Sequence, residues 1–140
     1  MNTPPENVYP YYLKDKERQR FLDLFHSVGL SAFETNYRNG WWELRDKAIE
    51  LLPEIAPTIF TGCLGLVTSE AAEAMEAVRK HDPSTWGDAT TKDTMVRELA
   101  GTIVRCMDLA HRLDLPLGEA VLAEIEANSK RGYRHGGKAA

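Results

Sequence analysis

A chain of 140 residues with 43% hydrophobic and 27% charged residues has the size and make-up of one globular domain with its own core. Its net charge of −4 and isoelectric point near 5.6 exclude a global attraction to nucleic acid polymers or to an anionic membrane surface. Cys63 and Cys106 lie inside apolar helical patterns with no Cys/His metal spacing, and read as buried reduced thiols. No charged-then-apolar leader and no apolar run long enough to span a bilayer is evident, so the expectation is a cytoplasmic protein without a membrane partner.

Residues 1–13, rich in proline and tyrosine, read as a flexible or extended N-terminal arm, and 14–128 as a single helical domain. From Lys14 to Val28 the pattern turns helical, with Phe21, Leu24, Phe25 and Val28 at i, i+3, i+4 and i+7. Gly29 is expected to end this helix. Ser31 and Glu34 then form an S-x-x-E capping-box pattern opening a short helix through Tyr37, which Asn39-Gly40 stops. In WWELRDKAIELLPEIAP, Pro53 and Pro57 leave a short helix and a turn, with Pro57 suited to the first turn of the next helix. That helix is predicted from about Thr58 to Lys80, with Leu64, Val67, Ala71, Ala74 and Val78 along one side. His81–Asp93 is a loop by composition. A second long helix follows from about Thr94 to Leu113, with Met95, Leu99, Thr102, Cys106, Leu109 and Leu113 on its apolar face. Pro116 opens a third, over 117–128, and 129–140 is a basic, glycine-rich tail. With no strand alternation and no repeat, the fold class is all-α: a bundle of four or five helices. Such a bundle often completes its core by pairing with a second copy.

Glu70 and Glu73 stand three residues apart, which puts both carboxylates on one flank of their helix, beside its apolar stripe. Like charges this close repel, and a hard divalent cation such as Mg²⁺ relieves them with oxygen coordination. Glu98 flanks the apolar stripe of the next long helix in the same way. One turn on, where a fourth ligand would point, stands Gly101. Glycine in a helix interior costs about 1 kcal/mol relative to alanine. Taken alone, E-x-x-E on a helix is also the pattern of an ordinary solvated surface.

TSEAAEAMEAVRK, then RELAGTIVRCMDLAHRLDLPLGEAV, then NSKRGYRHGGKAA, together with the upstream NGWWE, resemble the MazG-like family of all-α nucleoside triphosphate pyrophosphohydrolases. The resemblance runs from about Ser31 to the C-terminus. The family's metal motif is E-x-x-E on one helix and E-x-x-D on the next. Glu70 and Glu73 match the first pair and Glu98 the start of the second, while Gly101 stands where the family has Asp. Asp108, two turns beyond Gly101 and about 10 Å along the axis, cannot take over that ligand position, though it can line the same side of the cleft.

The resemblance implies cleavage of a (d)NTP between its α- and β-phosphates to (d)NMP and pyrophosphate, with Mg²⁺ (or Mn²⁺) held by Glu70, Glu73 and Glu98 as metal-binding and catalytic residues. It implies a homodimer or homotetramer. It also places one of Trp41 and Trp42 against the nucleobase, although tryptophans mostly fill cores. Trp86 is a weaker candidate, as a lid. On composition the tail is a solvated basic terminus, yet Asn128, Arg131, Tyr133, Arg134 and His135 follow the family's N-x-x-R-P-Y-R-H pattern. With Lys130 they are the expected substrate contacts. Gly132 replaces the family's proline, and Glu124 stands where a lysine is frequent. These departures and Gly101 point to reduced activity. They leave open a catalytically impaired nucleotide-binding relative, or a purely structural helical oligomer. Arg79, Lys80 and Arg105 read as charge-balancing cations, and His26, His81 and His111 as surface or capping residues.

Overall fold

The computed structural model describes residues 14–80 and 89–130, and among them every regular element is helical. The elements are α1 (Asp15–Arg38), α2 (Trp41–Leu51), a 3₁₀ turn (Pro53–Ile55), α3 (Ala56–Arg79), α4 (Ala89–Arg112) and α5 (Leu117–Ser129). The expected N-terminal arm, the expected loop around Trp86, and tail residues Arg131, Tyr133, Arg134 and His135 lie outside the described residues.

One expectation fails at the start. Gly29 does not end a helix. α1 runs through it, and Ser31 is interior, its carbonyl accepting a hydrogen bond from Thr35 Oγ1 at 2.8 Å. A glycine costs a helix interior about 1 kcal/mol, and α1 continues through it with Gly29 buried against Met107 of α4, where an added methyl group would make an ordinary contact at 3.9 Å. Gly29 is not a C-cap. The true stop is Gly40, whose φ of 80° lies in the left-handed region that glycine enters without steric cost.

Pro53 opens the 3₁₀ turn and Pro57 sits in the first turn of α3, where a missing N–H costs nothing. α4 begins at Ala89, earlier than the expected Thr94. Threonine and aspartate are only a few tenths of a kcal/mol less helical than average residues, so a helix already fixed by packing extends through them at little cost. α4 closes through Asp114, at φ 53°, with the Leu115 N–H reaching back to the Ala110 carbonyl at 2.8 Å.

Within the span read as one domain, the chain divides into two compact units. The larger covers 28–115. In it α3 and α4 run antiparallel along each other, with residue 63 near 109 and residue 70 near 101 and 105. Its core is Trp42, Cys63 and Leu109, closed by Phe33, Phe60 and Leu113. Cys63, rather than the expected Leu64, faces this core; Leu64 is exposed. Burial pushes the Cys63 thiol up, opposed by the charge of Arg45, so it stays protonated. His111 lies against the Phe33 ring at 5.1 Å, a packing role instead of a surface one. The smaller unit holds the N-terminal half of α1 and α5, where Gly118 packs onto Leu22 and Phe25.

The helical run Pro53–Arg79 is long and apolar enough, by length and composition, to cross a membrane, contrary to the expectation from the sequence. It qualifies on a mean hydropathy of 1.3.

Candidate acidic site and tryptophan cleft

Two features of the larger unit meet at Arg105. The first is acidic. Glu70 and Glu73 on α3 and Glu98 on α4 share one neighbourhood, because the antiparallel register sets residue 70 opposite the turn from 98 to 101. The Glu98 carboxyl is held above the ordinary carboxylate range. Partial burial contributes most, then a hydrogen bond with Glu70, then the negative charges of Glu73 and Glu70. Glu73 is the most open of the three, with Ser69 Oγ 3.4 Å from its Oε1.

Glu70 is the pivot. Its side chain retains only 17% of its exposure, and its Oε1 accepts a 2.6 Å hydrogen bond from Arg105 Nε, one turn beyond Gly101. Gly101 makes this placement possible. A Cβ on residue 101 would overlap Glu70 Oε2 and stand 3.0 Å from its Cδ. The glycine therefore has a steric function: it leaves the space into which the Glu70 carboxyl lies. As the side chains stand, no group of three His, Cys, Asp or Glu among the described residues is arranged to hold a metal ion. Glu70 faces Arg105 instead.

The second feature is a cleft of about 140 Å³ lined by Asn36, Trp41, Trp42, Arg45, Arg105 and Asp108, among others. Its floor is organised by a buried carboxylate. Asp108, 7% exposed, accepts hydrogen bonds of 2.7 Å from both Trp42 Nε1 and Asn36 Nδ2, joining α1, α2 and α4. Trp42 is fully buried. The Arg45 guanidinium lies over both indoles, 4.8 Å from Trp42 and 5.9 Å from Trp41. The Arg112 guanidinium lies 5.7 Å from Trp42 and is anchored by Asp46 at 2.6 Å. The two tryptophans therefore divide their roles. Trp42 is structural, while Trp41, 60% exposed, offers an accessible ring.

Of the residues expected at a site, Glu70, Glu73, Glu98, Trp41 and Trp42 thus belong to one unit. Asn128 and Lys130 belong to the other, where Asn128 is exposed and Lys130 pairs with Glu126 at 2.6 Å. Sequence reasoning missed Asn36 and Arg45, took Arg105 as a mere charge balance, and gave Asp108 only the lining of the cleft. The available signal for Asp108 was an acidic residue inside an apolar helical stripe, which burial requires to be paired. Among known proteins, the chain matches no family model, no curated protein and no solved structure at a significant level.

Proposed function

We propose that the chain is a nucleoside triphosphate pyrophosphohydrolase of the MazG-like kind, slowed by Gly101. The observation that carries this reading is the neighbourhood of Glu70, Glu73 and Glu98, where burial, a hydrogen bond with Glu70 and the charges of Glu73 and Glu70 together raise the Glu98 carboxyl. Carboxylates crowded together repel one another and form a donor set whose chemistry suits a hard divalent cation. Glu70, Glu73 and Glu98 would hold Mg²⁺ or Mn²⁺. When bound, such an ion supplies charge neutralisation on phosphate oxygens and acidifies a water. Trp41 would take the base by stacking, beside the Arg45 guanidinium, and Arg105 faces both the cleft and the acidic group. Asp108 fixes the cleft floor through Trp42 and Asn36. The tail residues Asn128, Lys130, Arg131, Tyr133, Arg134 and His135 remain the proposed phosphate and sugar contacts by resemblance.

A second reading, a nucleotide-binding relative with little turnover, is favoured by one observation: Glu70 is already paired with Arg105. A homodimer or homotetramer is proposed from the exposed apolar residues Met75 on α3 and Val96, Leu99 and Ile103 on α4. A cytoplasmic location is part of the same reading.

The test is thermal unfolding with Mg²⁺, with a nucleoside triphosphate and with both, beside pyrophosphate release. A ligand that binds only the folded state raises its stability. Stabilisation by the pair with pyrophosphate release supports the enzyme. Stabilisation without turnover selects the binding relative, and no shift leaves a structural oligomer.

A further inference from the structure

The tryptophan cleft has a size as well as a chemistry. Its volume is about 140 Å³. A cavity of roughly 150 Å³ holds one benzene ring, so the cleft is matched to a single six-membered ring. Its apolar lining comes from Trp41, 60% exposed, and Leu66, 38% exposed, together with the buried Trp42 and Leu109. Beside this lining, one amide is held in a fixed orientation. Asn36 Nδ2 donates to Asp108 Oδ2 at 2.7 Å. A carboxylate accepts and does not donate, so the amide nitrogen has to face Asp108 and cannot change places with the amide oxygen. Asp108 is itself fixed by Trp42 Nε1, which donates to its other oxygen at 2.7 Å. What Asn36 has left for a ligand is its Oδ1 acceptor and its second N–H.

We propose that the cleft is a single-ring pocket, which takes the pyrimidine base of a nucleotide and turns purines away, and that Asn36 is the residue that reads the base. The base stacks on the accessible Trp41 ring, and its edge meets the Asn36 amide. Cytosine and uracil each carry a donor next to an acceptor: N4–H beside N3 in cytosine, N3–H beside O4 in uracil. Either edge is complementary to an amide that offers one acceptor and one donor. A purine brings a second fused ring into a space sized for one, and reaches Asn36 only by pushing Leu66 or Trp41 outward. This inference rests on the proposed nucleotide-cleaving reading, and adds to it the class of base and the side chain that selects it.

The experiment is calorimetric titration of the full chain with four nucleoside triphosphate analogues, of cytidine, uridine, adenosine and guanosine, each with a methylene bridge between its α- and β-phosphates and with Mg²⁺ present throughout. The wild-type chain is expected to bind the two pyrimidine analogues at least about tenfold more tightly than the two purine ones, the low end of what size discrimination in a pocket gives. Asn36→Ala is expected to weaken the pyrimidine analogues about three- to tenfold, the value of one hydrogen bond, and to leave the purine affinities unchanged. Leu66→Ala, at a residue 38% exposed, widens the cleft and is expected to raise the purine affinities towards those of the pyrimidines, a gain that misfolding cannot imitate. Purine analogues bound as tightly as pyrimidine ones by the wild-type chain, or more tightly, would overturn the single-ring pocket and leave the nucleotide-cleaving reading standing. An equal loss for all four analogues in Asn36→Ala would overturn its base-reading role. Failure of the wild-type chain to bind any of the four would overturn both the pocket and the nucleotide-cleaving reading.

Discussion

Replacing Asp108 tests how the cleft is held. The carboxylate is 7% exposed and accepts from Trp42 Nε1 and Asn36 Nδ2, both at 2.7 Å. Hydrogen bonds to a charged group are each worth about 1.5–3 kcal/mol, and a buried donor left unpaired costs about 1–3 kcal/mol. The Trp42 indole N–H is fully buried, so in Asp108→Ala it loses its acceptor. The expected cost is about 3–5 kcal/mol, the range for breaking one side of a buried charged contact. Asp108→Asn keeps the shape and one acceptor oxygen, and should cost about half as much. Urea unfolding of Asp108→Asn, Trp42→Phe and the double variant isolates the pair, with an expected coupling of at least about 1 kcal/mol. The reasoning is refuted if Asp108→Ala loses less than about 0.5 kcal/mol, the level of an ordinary surface substitution.

Further outcomes are expected at Trp41, at Gly101 and across the pH profile. Trp41→Ala should leave the melting temperature almost unchanged, because the ring is 60% exposed. It should weaken nucleotide binding by about 1–3 kcal/mol, the value of one base–aromatic stack. Gly101→Ala gains helix propensity of about 1 kcal/mol but pushes Glu70 off Arg105, so the measured gain should fall short of that figure. Gly101→Asp should melt lower than wild type without divalent cation, respond more strongly to Mg²⁺, and release pyrophosphate at least about tenfold faster, or about 1.4 kcal/mol of barrier. The two ends of the pH profile have opposite signs. Glu98 is raised, so the folded state binds more protons and stability falls as pH rises above its unfolded value of 4.5. Glu98→Gln should therefore stabilise the cation-free protein increasingly over that rise, and lose the Mg²⁺ response. Glu76 is lowered, by hydrogen bonds from Arg79 and Lys80 first, so its contribution is present above 4.5 and disappears as pH falls through its depressed value. Glu76→Gln should flatten the acid limb alone.

The helices were legible because their apolar residues recur at helical spacing and because Gly40, Pro53, Pro57 and Pro116 mark real boundaries. Gly29 misled because a glycine that ends a helix and a glycine buried inside one look the same along the chain; its burial beside Met107, far away in sequence, separates them. Ser31 misled for a related reason, since a capping pattern inside a continuing helix is never used. At the candidate site, the E-x-x-E pair and Glu98 were readable as a pattern, and the register of α3 against α4 brings them together. The partners of those groups were not readable. Arg105 meets Glu70 across 35 positions, and Asp108 meets Asn36 across 72, so neither contact leaves a local periodic trace. Gly101 was readable as an anomaly, but its steric role depends on where the Glu70 side chain lies.

The most direct measurement is product analysis on a panel of ribo- and deoxynucleoside triphosphates with Mg²⁺, using the chain, its Gly101→Asp form and Glu73→Gln. The account predicts monophosphate and pyrophosphate from at least one of them, faster with Gly101→Asp and absent with Glu73→Gln. Intact triphosphates with both the chain and Gly101→Asp, or pyrophosphate release that Glu73→Gln leaves unchanged, would contradict it.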